Sequence, residues 1–168
     1  MTVHIALLRA VNLGSHKKVS MADLRAMVTD LGFENVQTLL QSGNVVFESK
    51  PTGAKLEKLL EDAARKELNL DTEFIVRTAK DWDAIIAKNP FPKEAKSDPG
   101  RFVLFACKTA PAASMKVTGA NREYLKVVGK NVYIVYPDGQ GRSKLKVHTI
   151  GTARNWNTVL KLAAAAKQ

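Results

Sequence analysis

The stretch Gly151-Thr152-Ala153-Arg154-Asn155-Trp156-Asn157-Thr158 concentrates hydrogen-bonding side chains where a helix is expected to open. Thr152 reads as an N-cap, and a helix behind it would present free backbone N–H groups and a positive dipole end, with Arg154 in its first turn. That is the makeup of an anion site. Gly139-Gln140-Gly141-Arg142-Ser143-Lys144 offers a second half for such a cradle, because two glycines lie among Arg142, Lys144 and Lys146. It lacks the Gly-x4-Gly-Lys-Ser/Thr spacing of a nucleotide loop, and it also reads as a basic turn in solvent.

Two further polar clusters belong to the first half. The segment from Ala10 to Val19 joins a strand to a helix by more residues than the roughly 2 to 6 that are usual, and long loops often carry function. Gln41-Ser42-Gly43-Asn44 supplies polar side chains, yet it is also what a plain β-turn requires. The candidate ligand-binding residues are Arg9, Asn12, Ser42, Asn44, Lys144, Arg154, Asn155 and Asn157.

No catalytic constellation emerges from spacing. Ser143-x-x-Lys146 and Ser42-x-Asn44 match fragments of the penicillin-binding set in reversed order and without its Lys-Thr-Gly element. His4, His16 and His148 stand far apart with no ligand pair at helical or strand spacing, so no metal site and no cofactor are expected. The single cysteine, Cys107, excludes an internal disulfide and reads as a buried, inert thiol. Glu123 and Asp138 show no acid/base partner in the sequence.

Charge separates the halves. Of 168 residues, 1–88 hold 12 Lys/Arg and 12 Asp/Glu, whereas 89–168 hold 14 and 4, so the whole net charge of +10 lies in the second half. Such a block attracts nucleotides, nucleic acid or other polyanions, or it serves solubility alone. No apolar run reaches the roughly 18 residues of a membrane span, and His4 and Arg9 interrupt the start where a signal peptide would be apolar. A cytoplasmic protein without membrane contact is expected. The oligomeric state is not legible.

The elements that must position these groups follow from periodicity. Val3, Ile5 and Leu7 alternate as a strand, and Met21, Leu24, Val28 and Leu31 recur as a helix with Ser20 and Asp23 at its cap and Gly32 at its end. Val36 to Leu40 and Val45 to Phe47 form a hairpin about Ser42-Gly43. Leu56, Leu59, Leu60, Ala63 and Leu68 mark a second helix, and Thr72 to Arg77 a fourth strand. That order is the split βαβ, ferredoxin-like pattern of an α+β fold. A further helix opens at Thr78 with Trp82, Ile85 and Ile86 buried.

Residues 89–100, with three prolines, read as a linker or long loop between a ferredoxin-like subdomain over 1–88 and a smaller basic α+β subdomain over 101–168. In the latter, Arg101 to Cys107 is a buried strand, Pro111 to Lys116 a short helix, and Tyr124 to Val128 with Val132 to Tyr136 a hairpin about Gly129-Lys130. The C-terminal helix carries Trp156, Val159, Leu160 and Ala163 inward, with Arg154, Asn157, Thr158 and Lys161 on a polar face.

The motifs Ala6-Leu7-Leu8-Arg9-Ala10-Val11-Asn12-Leu13-Gly14, Gln41-Ser42-Gly43-Asn44-Val45-Val46-Phe47, Asn89-Pro90-Phe91, Ser143-Lys144-Leu145 and Thr152 to Thr158 together closely resemble a bacterial family, domain of unknown function 1697. Ser15 and Ser20 stand where many relatives have Gly and Pro. The resemblance implies an α+β fold with a ferredoxin-like first half and no activity, substrate or catalytic residue. Three readings remain open: a binding protein for a nucleotide or nucleic acid; an enzyme on a phosphorylated or acyl substrate, in which Arg154 and Lys144 hold an oxyanion while Asn12, Ser42, Asn44 and Asn155 orient the substrate; and a structural or partner-binding module.

Overall fold

The computed structural model describes residues 1–9, 19–39, 43–112 and 114–168. It is a mixed α+β structure with antiparallel sheets and a C-terminal helix, and it divides into two compact units, Met1–Ala84 with Leu162–Gln168, and Ile85–Lys161.

The first unit runs β1 (Thr2–Leu8), α1 (Met21–Asp30), β2 (Glu34–Leu39), β3 (Asn44–Ser49), α2 (Gly53–Leu68), β4 (Phe74–Thr78), then α3 (Ala79–Ala87), which crosses into the second unit. The sheet order is β2-β3-β1-β4 with every neighbour antiparallel. β2 and β3 pair as the alternation predicts, Thr38 opposite Val45 and Gln37 opposite Val46. Local chemistry sets the helix ends. The Ser20 hydroxyl accepts the Asp23 N–H at 3.0 Å, and Gly32, at φ +88°, turns the chain away after α1. Leu24, Met27 and Val28 of α1 and Leu56, Leu60, Ala63 and Ala64 of α2 cover Ala6, Leu8, Val45, Phe47, Phe74 and Val76.

β4 is an edge strand, and edge strands expose unpaired backbone donors. Two carboxylates of α2, one turn apart, take those donors: Glu57 accepts the Val76 N–H at 2.9 Å and Glu61 the Phe74 N–H at 3.0 Å. The helix thereby covers the strand with charge-assisted hydrogen bonds as well as apolar contact. Glu57→Ala should lower stability by about 1.5–3 kcal/mol in urea unfolding, the range for a hydrogen bond to a charged group whose buried partner is left unmatched.

His4 is fully buried in β1. The Ser49 hydroxyl donates to the Pro51 carbonyl at 2.8 Å, so the Ser49 oxygen must accept from His4 Nδ1, 3.2 Å away. Nδ1 then carries a proton, and Nε2 has no hydrogen-bond partner among the described residues. Burial holds the His4 pKa below its ordinary value, against opposing pulls from the Thr2 backbone and the Asp81 charge. Below about pH 6.5 the unfolded chain binds a proton there that the folded chain resists, so stability falls with pH through that window until the folded ring also titrates. His4→Phe should flatten this part of the stability–pH curve; a curve unchanged by the substitution would contradict it.

The second unit continues with α4 (Pro92–Ser97), β5 (Phe102–Cys107), β6 (Val117–Thr118), β7 (Tyr124–Val128), β8 (Asn131–Val135), β9 (Lys146–Val147), β10 (Gly151–Asn155) and α5 (Trp156–Ala166), whose last turns belong to the first unit. α4 occupies part of the proline-rich segment 89–100. The main sheet has the order β10-β5-β8-β7, and β6 pairs with β9 in a separate ribbon. The expected helix over 111–116 is not formed by its described residues; a turn, Met115 N–H to the Ala112 carbonyl at 2.9 Å, stands there.

Aromatic rings fill the second core. Phe102 lies 4.8 Å from Trp156 and 6.3 Å from Tyr133, centroid to centroid. The Tyr133 hydroxyl donates to the Ile85 carbonyl at 2.7 Å, and burial pushes its pKa up to about 12. The inward stripe of α5 is Trp156, Val159, Leu162 and Ala163; Leu160 is 44% exposed, and Thr158, expected on a polar face, is buried.

Candidate functional site

The anion site expected at a helix opened by Thr152 is not built that way. Thr152, Ala153 and Arg154 lie in β10, paired with Ala106, Phe105 and Leu104 of β5, and the helix begins four residues beyond Thr152. The pairing overrides the capping signal because Gly151 permits it: a Cβ there would run into the Ala106 carbonyl and the Phe105 ring. Asn155 is the cap, its Oδ1 accepting the Thr158 N–H at 3.0 Å. Arg154 is buried, and Nη1 donates to the Thr152 hydroxyl at 2.6 Å and the Ala153 carbonyl at 2.9 Å. Burial lowers its pKa to about 10.

The other candidates fall as follows. Asn12 and Ser42 lie outside the described residues. Arg9 is exposed, with its backbone N–H on the Glu73 carbonyl at 3.0 Å, and Asn44 is fully buried, its amide donating to the Leu39 carbonyl at 2.8 Å. Asn155 and Asn157 are exposed at the start of α5, and Lys144 is exposed. Arg9 and Asn44 belong to the first unit, and Lys144, Arg154, Asn155 and Asn157 to the second.

Lys144 leads to a cluster that spacing did not reveal. From Arg142 to Ile150 exposure alternates, every even residue exposed and every odd one half-buried. Leu145 and Val147 pack against a core of Val103, Cys107, Val132, Ile134 and Tyr136, which turns Lys144, Lys146 and His148 outward. Of this segment only Lys146–Val147 is strand, and Arg142 ends a single 3-10 turn.

Hydrogen bonds and a close backbone approach hold this segment. The Ser143 hydroxyl donates to Glu123 at 2.7 Å and accepts the Leu145 N–H at 3.0 Å. The Lys144 carbonyl occupies the space a side chain on Gly119 would fill, and Gly119 has φ +75°. Arg122 pairs with Asp138 at 2.6 Å just upstream. Bonds from the Asn121 N–H and the Ser143 hydroxyl also hold the Glu123 carboxyl below the usual range.

β6 and β9 pair with Val117 opposite Val147 and Thr118 opposite Lys146, and the His148 N–H continues the ladder to the Lys116 carbonyl at 3.0 Å. Alternation then puts Lys116, Thr118, Lys146 and His148 on one exposed face. His148 Nε2 and the Thr118 hydroxyl are 2.7 Å apart. Beside this face lies a cleft of about 500 Å³ whose lining includes Ser114, Lys116, Thr118, His148 and Thr149. Some 30 residues separate its two sides in the chain, and two-residue strands carry too little pattern to announce their pairing.

Negative charge does little to offset the row. The four carboxylates of residues 89–168 are engaged: Glu94 by the Tyr124 hydroxyl at 2.7 Å, Asp98 by Arg101 at 3.8 Å, Glu123 by Ser143, and Asp138 by Arg122. Among the described residues no group of three His, Cys, Asp or Glu is placed to hold a metal ion, and no helix is long and apolar enough to cross a membrane.

Fold and site together define an α+β protein with a basic ribbon on its second unit. The model of the family described as "Protein of unknown function (DUF1697)" matches residues 1–133, and the chain belongs to that family. Among solved structures, the chain is similar to the conserved bacterial protein SP0830 from Streptococcus pneumoniae, at 23% identity and a TM-score of 0.77 over 98% of each chain, a likeness of fold. No functionally curated protein matches.

The geometry of Arg154 predicts a structural part for it. Arg154→Met, which keeps the apolar stem, should cost about 1–3 kcal/mol in stability through the acceptors left without a donor, and should leave the salt dependence of polyanion binding unchanged.

Proposed function

We propose that the chain is a cytoplasmic binding protein for an anionic partner, and that the partner is nucleic acid held by its backbone. The observation that carries this reading is the set Arg142, Lys144, Lys146 and His148, exposed in alternation along a segment whose Leu145 and Val147 pack against the core. Excess positive charge in the surrounding unit would draw a polyanion from a distance. We also read the order β1-α1-β2-β3-α2-β4 with the sheet order β2-β3-β1-β4 as the split βαβ, ferredoxin-like arrangement, which supports a first unit serving as scaffold.

A second reading, an enzyme on a phosphorylated substrate, is favoured by the 2.7 Å approach of His148 to the Thr118 hydroxyl, the geometry of a nucleophile and its base. No third group orients that imidazole among the described residues, so binding is the stronger reading. If the row neutralises phosphates, affinity for a single-stranded oligonucleotide should fall steeply with salt. Replacing Arg142, Lys144 and Lys146 with Ala should then flatten the log–log slope by roughly 2, at about 0.7 for each phosphate no longer neutralised. Fluorescence anisotropy across a salt series measures it, and an unchanged slope in the triple variant rejects the reading.

A further inference from the structure

The cleft beside the ribbon differs from the row that leads to it. The row is exposed cations alone, whereas the cleft gathers several kinds of group. Three hydroxyls (Ser114, Thr118 and Thr149), the Lys116 ammonium and the His148 imidazole line it, and among the described residues no carboxylate does. Met115 supplies an apolar wall on the same cleft. We infer that this cleft binds a phosphomonoester, the terminal phosphate against the hydroxyls, Lys116 and His148, and the group that carries it against Met115. The inference deepens the anion-binding reading of the same face by naming the chemistry at its end.

The donor set favours this class over its rivals. A carboxylate offers two oxygens in a plane, for which Arg is the matched partner, and among the described residues no Arg lines the cleft. A phosphodiester carries a single charge and must pass through a site, as along the open row. A phosphomonoester has three terminal oxygens in a tetrahedral array and close to two charges, so it uses donors arriving from several directions. Here they arrive from one strand and the segments flanking the ribbon: Thr118 from β6, Ser114 and Lys116 ahead of it, and His148 and Thr149 beyond β9. The 2.7 Å contact with Thr118 ties the exposed imidazole to the ribbon.

Two sources could supply the group, a small phosphorylated metabolite or the phosphorylated end of a nucleic acid strand lying along Arg142 to His148. Titration of the full chain with phenyl phosphate and phenyl sulfate at constant ionic strength, followed by amide chemical shifts, tests the pocket itself. Phenyl phosphate should perturb residues 114–118 and 148–149 and bind at least about tenfold more tightly than phenyl sulfate, and Lys116→Ala and Thr118→Val should each weaken it several-fold. Equal affinity for the two probes, no binding, or affinity untouched by both substitutions would overturn the inference.

Oligonucleotides with 5′-phosphate, 3′-phosphate or hydroxyl ends then separate the sources. An advantage for one phosphorylated end, lost in Thr118→Val, assigns the cleft to a strand terminus; phenyl phosphate binding without that advantage assigns it to a metabolite. Failure of hydroxyl-ended strands to bind would remove the nucleic-acid reading and leave the phenyl phosphate result to decide the pocket.

Discussion

The carbonyl of Lys144 lies where a side chain on residue 119 would have to be, and the basic ribbon depends on that approach. Only glycine gives the backbone room, and its φ of +75° is one that residues with a Cβ rarely adopt. With the strands that close, Ser143 reaches Glu123, Leu145 and Val147 enter the core, and the residues between them have no direction left but outward. A cationic row therefore arises from apolar burial, since long, flexible lysines are placed by their buried neighbours and not by any attraction among themselves. Like charges side by side repel, and the core packing beneath must outweigh that repulsion.

The two units solve different problems. In the first, an edge strand is covered by Glu57 and Glu61, so its Phe74 and Val76 donors are taken and not offered to another chain. In the second, the aromatic cluster of Phe102, Tyr133 and Trp156 ties β5 and β8 to the start of α5, with Tyr133 also fixing the end of α3 through the Ile85 carbonyl. Arg154 belongs to this same framework: a guanidinium bonded to Thr152 and Ala153 within its own strand braces β10 at the edge of the sheet.

Much of the architecture was legible in the sequence wherever periodicity or turn chemistry was strong. The Ser20 cap, the pairing of β2 with β3, and the hairpin about Gly129 follow from residue types, whereas the register of Thr38 on Val45 does not. The site was read less well, for a specific reason. Thr152 followed by a helical stripe has the local signature of an N-cap, and the true cap, Asn155 acting on Thr158, has the same signature three residues later. Choosing between them requires the pairing of Gly151 to Asn155 with β5, a tertiary fact. Lys144 and Lys146 stood out by charge, but Lys116, Thr118 and His148 joined them only through a ribbon of two-residue strands.

The most direct test of the account is a map of amide chemical-shift changes in the full chain on titration with a short single-stranded oligonucleotide near physiological salt. The account predicts changes concentrated on residues 142–149 and 114–119, with Glu57, Glu61 and the sheet of the first unit undisturbed. Changes centred on the first unit, or spread evenly over every surface lysine of the chain, would contradict it.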